Sequence, residues 1–164
     1  MAIETPDYKV LEQEGKFEVR DYPAMTVART AMGDGDFMRL FRYISGGNAA
    51  EQKIAMTAPV LVQHKGEGGG MSFVVPRKVA AANVPAPKES EVSVDEMPAA
   101  KFAALTYSGR RTDSNETDAL AKLRAWMAKK NLRAEGEPVY AYYDPPWTLP
   151  FLRRNEVMLR IARD

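Results

Sequence analysis

The sequence predicts an α+β fold: a distorted antiparallel β-barrel made of two β-β-α-β-β repeats, which are related by a pseudo-twofold axis and flanked by two α-helices. Three observations predict it. Several short segments alternate between apolar and polar residues, two segments carry apolar residues at helical spacing, and the order of elements in the first half recurs in the second. We place the repeats at about residues 16–77 and 91–162 of a single domain, residues 1–164.

The first repeat begins with two predicted strands. In KFEVRDY, Phe17 and Val19 share one face, and Lys16, Glu18 and Arg20 share the other. This alternation is typical of a half-buried strand. A second strand follows the turn at Pro23.

A short amphipathic helix follows the sequence GDGD, which breaks the chain. Asp36 is the predicted N-cap, and the glycines of SGGN are the predicted C-terminal stop. The apolar residues occupy positions i, i+3, i+4 and i+7 and so line one stripe: Phe37, Leu40, Phe41 and Ile44.

Two further strands complete the first repeat. KIAMTAPVLVQH and GMSFVVP have the composition of strands, and the glycine-rich KGEGGG between them is predicted to be a hairpin connection. The proline-bearing RKVAAANVPAPKES is predicted to lead away as a longer connection.

The second repeat has the same order of elements. EVSVDEMPAAKFAALTYSG is predicted to form two strands around Pro98, as the first repeat does around Pro23. A helix follows, and Asp113 with Glu116 three residues later resembles a capping box. PVYAYY and NEVMLRI are the predicted closing strands. The predicted buried stripe of the helix consists of Leu120, Leu123 and Met127.

The composition excludes several classes of function. Lys and Arg (23) nearly balance Asp and Glu (22), so the chain lacks the net charge expected of a protein that binds nucleic acid or acidic lipid. The absence of cysteine excludes disulfides and zinc-thiolate sites, and a single histidine excludes histidine-rich metal sites. No segment approaches the ~18 consecutive apolar residues of a membrane span. We expect a cytoplasmic protein, or a periplasmic or secreted one if a leader has been removed.

The segment YYDPPWTLPFLRRNEV, residues 142–157, is the least ordinary in the chain. Its prolines, at 145, 146 and 150, favour polyproline geometry, which lowers the entropic cost of presenting apolar side chains at a surface. Arg153 and Arg154 follow and could pair with a carboxylate. The alternative is a loop that caps a barrel end, with Trp147 and Phe151 in the core and both arginines in solvent.

Four separated motifs, FMRLFRYISGGN, KIAMTAPV, MSFVVP and PPWTLPFLRRNEV, follow an initial ETPDYKVL. In this order they resemble the SOUL haem-binding protein family over nearly the whole chain. The resemblance implies a distorted antiparallel barrel flanked by two helices, shared with gyrase-inhibitor-like domains that bind small molecules. It also implies binding of haem b or another tetrapyrrole in a shallow apolar groove. Because the sequence offers no strong iron ligand, we expect this binding to be non-covalent and reversible, as a carrier or buffer requires.

A haem site needs apolar area for the faces of the ring and cations for the propionates. The family places ligand contacts on the first helix and the loop after it, and the proline-bearing segment offers further apolar and cationic groups. For Trp147 and Phe151 we expect mainly structural roles, with one arginine near the ligand. The candidate binding residues are Phe37, Met38, Phe41, Arg42, Met56, Trp147, Phe151, Arg153 and Arg154.

An iron ligand is less well defined. His64 is the sole histidine, and its place beside the glycine-rich loop favours exposure over ligation. The tyrosines are scattered over the predicted strands and a helix, so they specify no ligand. Without a strong ligand, haem would be held by apolar contact and propionate pairing, with modest affinity.

Two other functions stay open. A hydrolase could use Glu156 as general acid and base beside a tyrosine such as Tyr142, although a glutamate paired with Arg153 or Arg154 is the simpler interpretation. A protein-interaction module could use the groove as its docking surface. The paired cations Arg110-Arg111 and Lys129-Lys130 could form a weak phosphate or propionate contact, but we interpret them as solvated surface because acidic residues surround them.

Overall fold

The structure is a computed structural model that describes residues 3–31, 36–65, 69–145 and 147–163. Within these ranges it has nine strands, three α-helices and one 3-10 turn, and the strand pairs are antiparallel. The α+β prediction is therefore confirmed. The elements are β1 Lys9–Glu14, β2 Phe17–Tyr22, β3 Met25–Thr30, α1 Asp36–Ile44, β4 Val60–Gln63, β5 Gly70–Val74, α2 Arg77–Ala82, β6 Val92–Met97, β7 Ala100–Tyr107, α3 Asp113–Lys129, β8 Ala134–Tyr142, the 3-10 turn Pro150–Leu152, and β9 Asn155–Ile161.

The chain divides into two compact units that differ from the predicted repeats. The first unit comprises Met1–Pro6 and Ala24–Pro98, and the second comprises Asp7–Pro23 and Ala99–Asp164. Strand β2 pairs with β7, and β6 pairs with β3, so each predicted repeat contributes its first strand to the other unit. The chain changes units after Pro23 and after Pro98, where proline offers no N–H to continue a ladder. Closure into a barrel and the pseudo-twofold relation stay predictions.

The first unit contains a four-stranded sheet in the order β4-β5-β3-β6, with α1 packed on it. The helix buries Leu40, Tyr43 and Ile44, whereas Phe37 and Phe41 of the predicted stripe stay 45% and 42% exposed. The hydroxyl of Tyr43 donates to the carbonyl of Pro85 at 2.6 Å. The buried cluster beneath the helix consists of Ala28, Leu40, Tyr43, Ile44, Ile54, Phe73 and Val92.

Two predictions in the first unit are wrong. The strand expected over 53–64 begins only at Val60, because the preceding backbone is bonded elsewhere: the N–H of Ile54 donates to the carbonyl of Ile44, and that of Ala58 donates to the carbonyl of Glu4. The prediction of two α-helices is also wrong, because the longer connection after GMSFVVP contains a further helix, α2. Pro76 directly precedes it, and alanine-rich sequence sustains it for six residues.

The second unit contains a five-stranded sheet in the order β1-β2-β7-β9-β8, covered by α3. Leu123, Trp126 and Met127 are buried on the sheet side of α3, and the indole of Trp126 stacks on the ring of Phe17 at 5.1 Å. The predicted capping box is wrong. Thr112 is the N-cap, because its side chain accepts a hydrogen bond from the backbone N–H of Asn115 at 3.1 Å.

Some predictions fall outside what the structure describes. These are most of the GDGD break, the N-cap role of the Asp36 side chain, the centre of the KGEGGG loop at 66–68, and the conformation of Pro146. Across the described ranges, no helix has both the length and the apolar character that crossing a membrane requires.

Replacing Gly70 by alanine tests the packing of the four-stranded sheet. Gly70 has a φ of +127°, and a Cβ atom there would lie 1.8 Å from the carbonyl oxygen of Thr30. Gly70→Ala is expected to lower the free energy of unfolding by about 3 kcal/mol or more, as measured by urea denaturation. Gly15 is the control, because it has a φ of +61° but open space where an added methyl group would lie. Gly15→Ala is expected to cost about 1 kcal/mol, and equal losses in the two variants would contradict the close approach.

Candidate functional site

A buried ion pair lies inside the second unit. Arg20 of β2 and Glu156 of β9 are 1% and 0% exposed. The two terminal nitrogens of the Arg20 guanidinium donate to the two carboxylate oxygens of Glu156, each at 2.8 Å. The expectation that the charged face of β2 is the unburied one is therefore wrong at Arg20. Strand β7 lies between β2 and β9 in the sheet order, so the pair spans it.

Glu156 also binds groups from the end of the proline-bearing segment. The Arg154 guanidinium lies 2.9 Å from its carboxylate, and the hydroxyl of Tyr143 donates to it at 3.0 Å. The hydroxyl of Thr106 donates to it at 3.2 Å. Of the two partners predicted for Glu156, Arg153 or Arg154, Arg154 binds its carboxylate. The tyrosine that donates to Glu156 is Tyr143 and not Tyr142.

The electrostatics of this cluster favour the ion-paired state. Burial alone would raise the pKa of Glu156, but its hydrogen bonds and charge interactions with Arg20 and Arg154 outweigh burial and lower that pKa. Burial raises the pKa of Tyr143. Near neutral pH, Glu156 is therefore ionised and Tyr143 is protonated. A buried carboxylate held by two arginines is poorly placed to take a proton from a substrate.

Tyr142 belongs to a different cluster. Its hydroxyl donates to the carboxylate of Glu116, which lies in the first turn of α3 and is 5% exposed. The guanidinium carbon of Arg111 lies 4.8 Å from the centroid of the Tyr142 ring, which is a cation–π distance. Burial raises the pKa of Tyr142, and it also raises the pKa of Tyr107 to about 12. These contacts hold Arg111 against the end of β8.

An open cleft lies beside Arg111 on the second unit. Its volume is about 500 Å³. The end of the loop from β7 to α3 forms one side, and the proline-bearing segment forms the other. The N–H of Gly109 donates to the carbonyl of Pro150 at 2.9 Å and joins the two sides. The lining residues are Arg110, Arg111, Thr112, Trp147, Thr148, Leu149, Pro150 and Arg153.

The proline-bearing segment presents its apolar side chains to solvent. Trp147 and Phe151 are 84% and 72% exposed, so the expectation that they fill the core is wrong. Leu149 has polyproline-like dihedral angles, φ −57° and ψ 137°, but the chain then makes the 3-10 turn Pro150–Leu152. The predicted polyproline geometry is therefore only partly present.

The two arginines that follow this segment are both held within the protein. The Nε of Arg153 donates to the carbonyl of Thr148 at 2.8 Å, and the Arg154 guanidinium binds Glu156. The interpretation of Arg110 and Arg111 as solvated surface is correct about their exposure but did not place them at this cleft. The pairing of Tyr107 with Asn155 brings the residues after β7 next to those before β9, but that pairing is not encoded locally.

The other candidate residues lie in the first unit. Phe37, Met38 and Phe41 are 45%, 50% and 42% exposed, and the rings of Phe37 and Phe41 stack with centroids 6.3 Å apart. The guanidinium of Arg42 pairs with Glu89 at 2.8 Å. Met56 is 41% exposed and borders a cavity of about 10 Å³, which has room for about one water molecule. Phe37, Met38 and Phe41 thus form an exposed apolar surface on α1. A role of these side chains, Arg42 or Met56 in binding stays a prediction.

His64 is exposed and directly follows β4. Ligation of iron by His64 stays a prediction. Over the residues that the structure describes, no group of three or more histidine, aspartate or glutamate side chains is arranged to hold a metal ion.

Several solved structures of other α+β proteins have a fold similar to that of this chain. The C-terminal domain of EcmrR is 13% identical, with a TM-score of 0.62 over 96% of this chain and 99% of that one. A hydrolase from Listeria innocua is also 13% identical, with a TM-score of 0.63 over 93% of this chain and 94% of that one. At these identities the likeness concerns the fold alone.

The family is narrower than this fold class. Residues 3–160 match the family model described as SOUL heme-binding protein. The chain is 31% identical to the human protein Heme-binding protein 2 over an alignment of 180 positions, which covers 96% of this chain and 86% of the relative. The chain belongs to the SOUL heme-binding protein family.

Replacing Glu156 by glutamine tests the buried cluster. Glu156→Gln leaves the Arg20 charge buried without its bidentate partner, so the free energy of unfolding is expected to fall by about 3–5 kcal/mol. Glu18 is the matched control, because it also binds Arg20, at 2.7 Å, but its side chain is 16% exposed. Glu18→Gln is expected to cost about 1 kcal/mol or less. A similar loss in both variants would contradict the central role of Glu156.

The difference in stability between the wild type and Glu156→Gln is expected to depend on pH. Because the folded pKa of Glu156 lies below its ordinary value of 4.5, the stabilisation is fully present above that value. It is lost as pH falls through the lowered pKa. In denaturation curves recorded from neutral to acid pH, the stability gap between the wild type and Glu156→Gln should therefore narrow only below the ordinary value. A gap that already closes near neutral pH would contradict the lowered pKa.

Proposed function

We propose that this protein binds haem or a related tetrapyrrole reversibly and non-covalently in the cleft of the second unit, as a carrier or buffer. One observation carries the proposal: exposed apolar side chains and arginines line the same open cleft. Membership of the SOUL heme-binding protein family and similarity to human Heme-binding protein 2 support this choice of ligand.

The open cleft offers apolar area for one face of a flat ring. Trp147, Leu149 and Pro150 supply apolar surface, and the cleft volume of about 500 Å³ is typical of small-molecule sites. Trp147 is 84% exposed, so covering it with a porphyrin would remove a large apolar area from water. The 3-10 turn fixes this surface before a ligand arrives, which reduces the entropy lost on binding.

The propionates of a tetrapyrrole would pair with Arg110 and Arg111. Both residues are exposed, and Arg111 is held over the ring of Tyr142. Arg154 is a poorer candidate because Glu156 already binds its guanidinium. Arg153 is partly committed through its Nε but still lines the cleft. Paired guanidinium groups suit carboxylates because they form bidentate hydrogen bonds.

The cleft suits the porphyrin ring better than it suits the iron. Among the described residues that line it, none is a histidine, methionine or tyrosine. The bound haem would supply redox or ligand-binding chemistry, whereas the protein contributes apolar contact and carboxylate pairing. Binding of this kind gives moderate affinity and ready release, as a carrier or buffer requires.

The alternatives draw less support. A hydrolase that uses Glu156 would need an accessible carboxylate, and this one is 0% exposed and bound by two arginines. The α1 surface, with Phe37, Met38, Phe41, Arg42 and Met56, remains a second location for the ring. It is the location that the family resemblance implies. The double variant Phe37→Ser/Phe41→Ser tests this second location.

Removing the two cleft arginines tests the proposed site. Arg110→Ala/Arg111→Ala is expected to weaken protoporphyrin IX binding about tenfold in fluorescence titrations, because both carboxylate partners are lost. Lys122→Ala/Arg124→Ala is the matched control, since it removes two exposed cations of α3 that do not line the cleft. Protoporphyrin IX dimethyl ester should not discriminate between these variants. If only Phe37→Ser/Phe41→Ser weakens binding, the ring binds at α1 and not in the cleft.

Comparing hemin with iron-free protoporphyrin IX tests whether coordination of the iron contributes to binding. Hemin and protoporphyrin IX should bind the wild type with affinities that agree within about threefold, because apolar and carboxylate contacts are common to both. His64→Ala should leave the Soret band of bound hemin unchanged. A large preference for hemin that His64→Ala abolishes would show instead that iron coordination holds the ligand.

A further inference from the structure

Part of the exposed apolar surface of the proline-bearing segment lies outside the proposed cleft. Phe151 and Leu152 are 72% and 63% exposed and do not line the cleft, whereas their neighbours Trp147 and Leu149 are 84% and 56% exposed and do. We call these four residues the apolar tip. Four large apolar side chains within six positions form a concentrated exposed patch, which usually marks an interaction surface.

Hydrogen bonds within the loop support this exposure. The N–H of Thr148 donates to the carbonyl of Pro145 at 3.0 Å, and that of Leu152 donates to the carbonyl of Leu149 at 2.9 Å. The N–H of Gly109 anchors Pro150 to the end of β7. The backbone of the tip is thus bonded while its side chains face solvent, so the exposure is a property of the folded loop.

Arginines surround the apolar tip. Arg110 and Arg111 lie across the cleft from Trp147, and Arg153 directly follows Leu152. Arg154 is not counted among them, because Glu156 binds its guanidinium. The whole chain has a net charge of only +1, so these three cations are a local concentration that the overall balance conceals. The charge pattern is complementary to an anionic surface.

We propose that the apolar tip inserts into the interfacial layer of a phospholipid bilayer that contains anionic lipids, with the surrounding arginines on the headgroups. Tryptophan, phenylalanine and leucine beside arginine are the residues that such interfaces favour. A protein partner fits less well, because a protein interface engages ~20–30 residues a side. This contact lies on the membrane surface and does not require tetrapyrrole binding.

Vesicle sedimentation tests the proposal with the full chain. The wild type should bind vesicles of phosphatidylcholine mixed with phosphatidylglycerol, and bind vesicles of phosphatidylcholine alone more weakly. Phe151→Ser/Leu152→Ser should reduce the partition coefficient at least about tenfold, because two apolar side chains are lost from the interface. Val10→Ser/Leu11→Ser is the matched control, since it removes two residues of β1 that are 46% and 50% exposed. It should leave partitioning unchanged.

Brominated lipids locate the contact. They should quench the fluorescence of Trp147, and the conservative Trp147→Phe variant should lose that quenching but keep most of the binding. Trp126 is 5% exposed and serves as the unquenched reference.

No vesicle binding, equal loss in the tip and control variants, or a wild-type dimer that Phe151→Ser/Leu152→Ser dissociates would each overturn the proposal. If the protein does not bind vesicles, its expected affinity for porphyrin is unchanged. If it does not bind porphyrin, its expected binding to vesicles is unchanged. The two proposals therefore fail separately.

Discussion

The buried pair of Arg20 and Glu156 is the constraint on which the second unit depends. A carboxylate and a guanidinium are costly to remove from water, so each requires the other in a fixed position. Their bidentate contact sets the position of β2 against β9 across the intervening β7. The hydroxyls of Tyr143 and Thr106 occupy further acceptor positions of the carboxylate. These two charged residues are thus part of the interior of the second unit.

The same carboxylate fixes the base of the loop that carries the candidate site. Tyr143 and Arg154 stand at the two ends of that loop, and both bind Glu156. Their backbones also meet, because the N–H of Tyr143 donates to the carbonyl of Arg154. With its base closed in this way, the loop presents Trp147 outward. The arginines free to meet an anionic ligand therefore come from the segment before α3, and Arg154 has a structural role.

Local sequence patterns predicted most strands and helices well, but they predicted poorly which of their side chains are buried. Residues 155–161 form the strand that NEVMLRI predicts, and α1 ends before the expected glycines. Periodicity gives the direction of a side chain but not what covers it. The stripe of α1 therefore includes buried Leu40 and exposed Phe41, and the charged face of β2 includes buried Arg20. The cleft depends on the long-range pairing of β7 with β9. The sequence therefore indicated its proline-bearing side, whereas Arg111 was interpreted as solvated surface.

The central claim is that the cleft of the second unit, and not its buried carboxylate, receives a flat amphiphilic ligand. A nuclear magnetic resonance titration of the uniformly ¹⁵N-labelled protein with protoporphyrin IX tests it most directly. The two tryptophan side chains supply both the probe and the reference. The indole N–H of Trp147 should shift with the ligand, while that of Trp126, which donates to Glu14, should stay in place. An unmoved Trp147 signal alongside shifts confined to the amides of α1 would contradict the account.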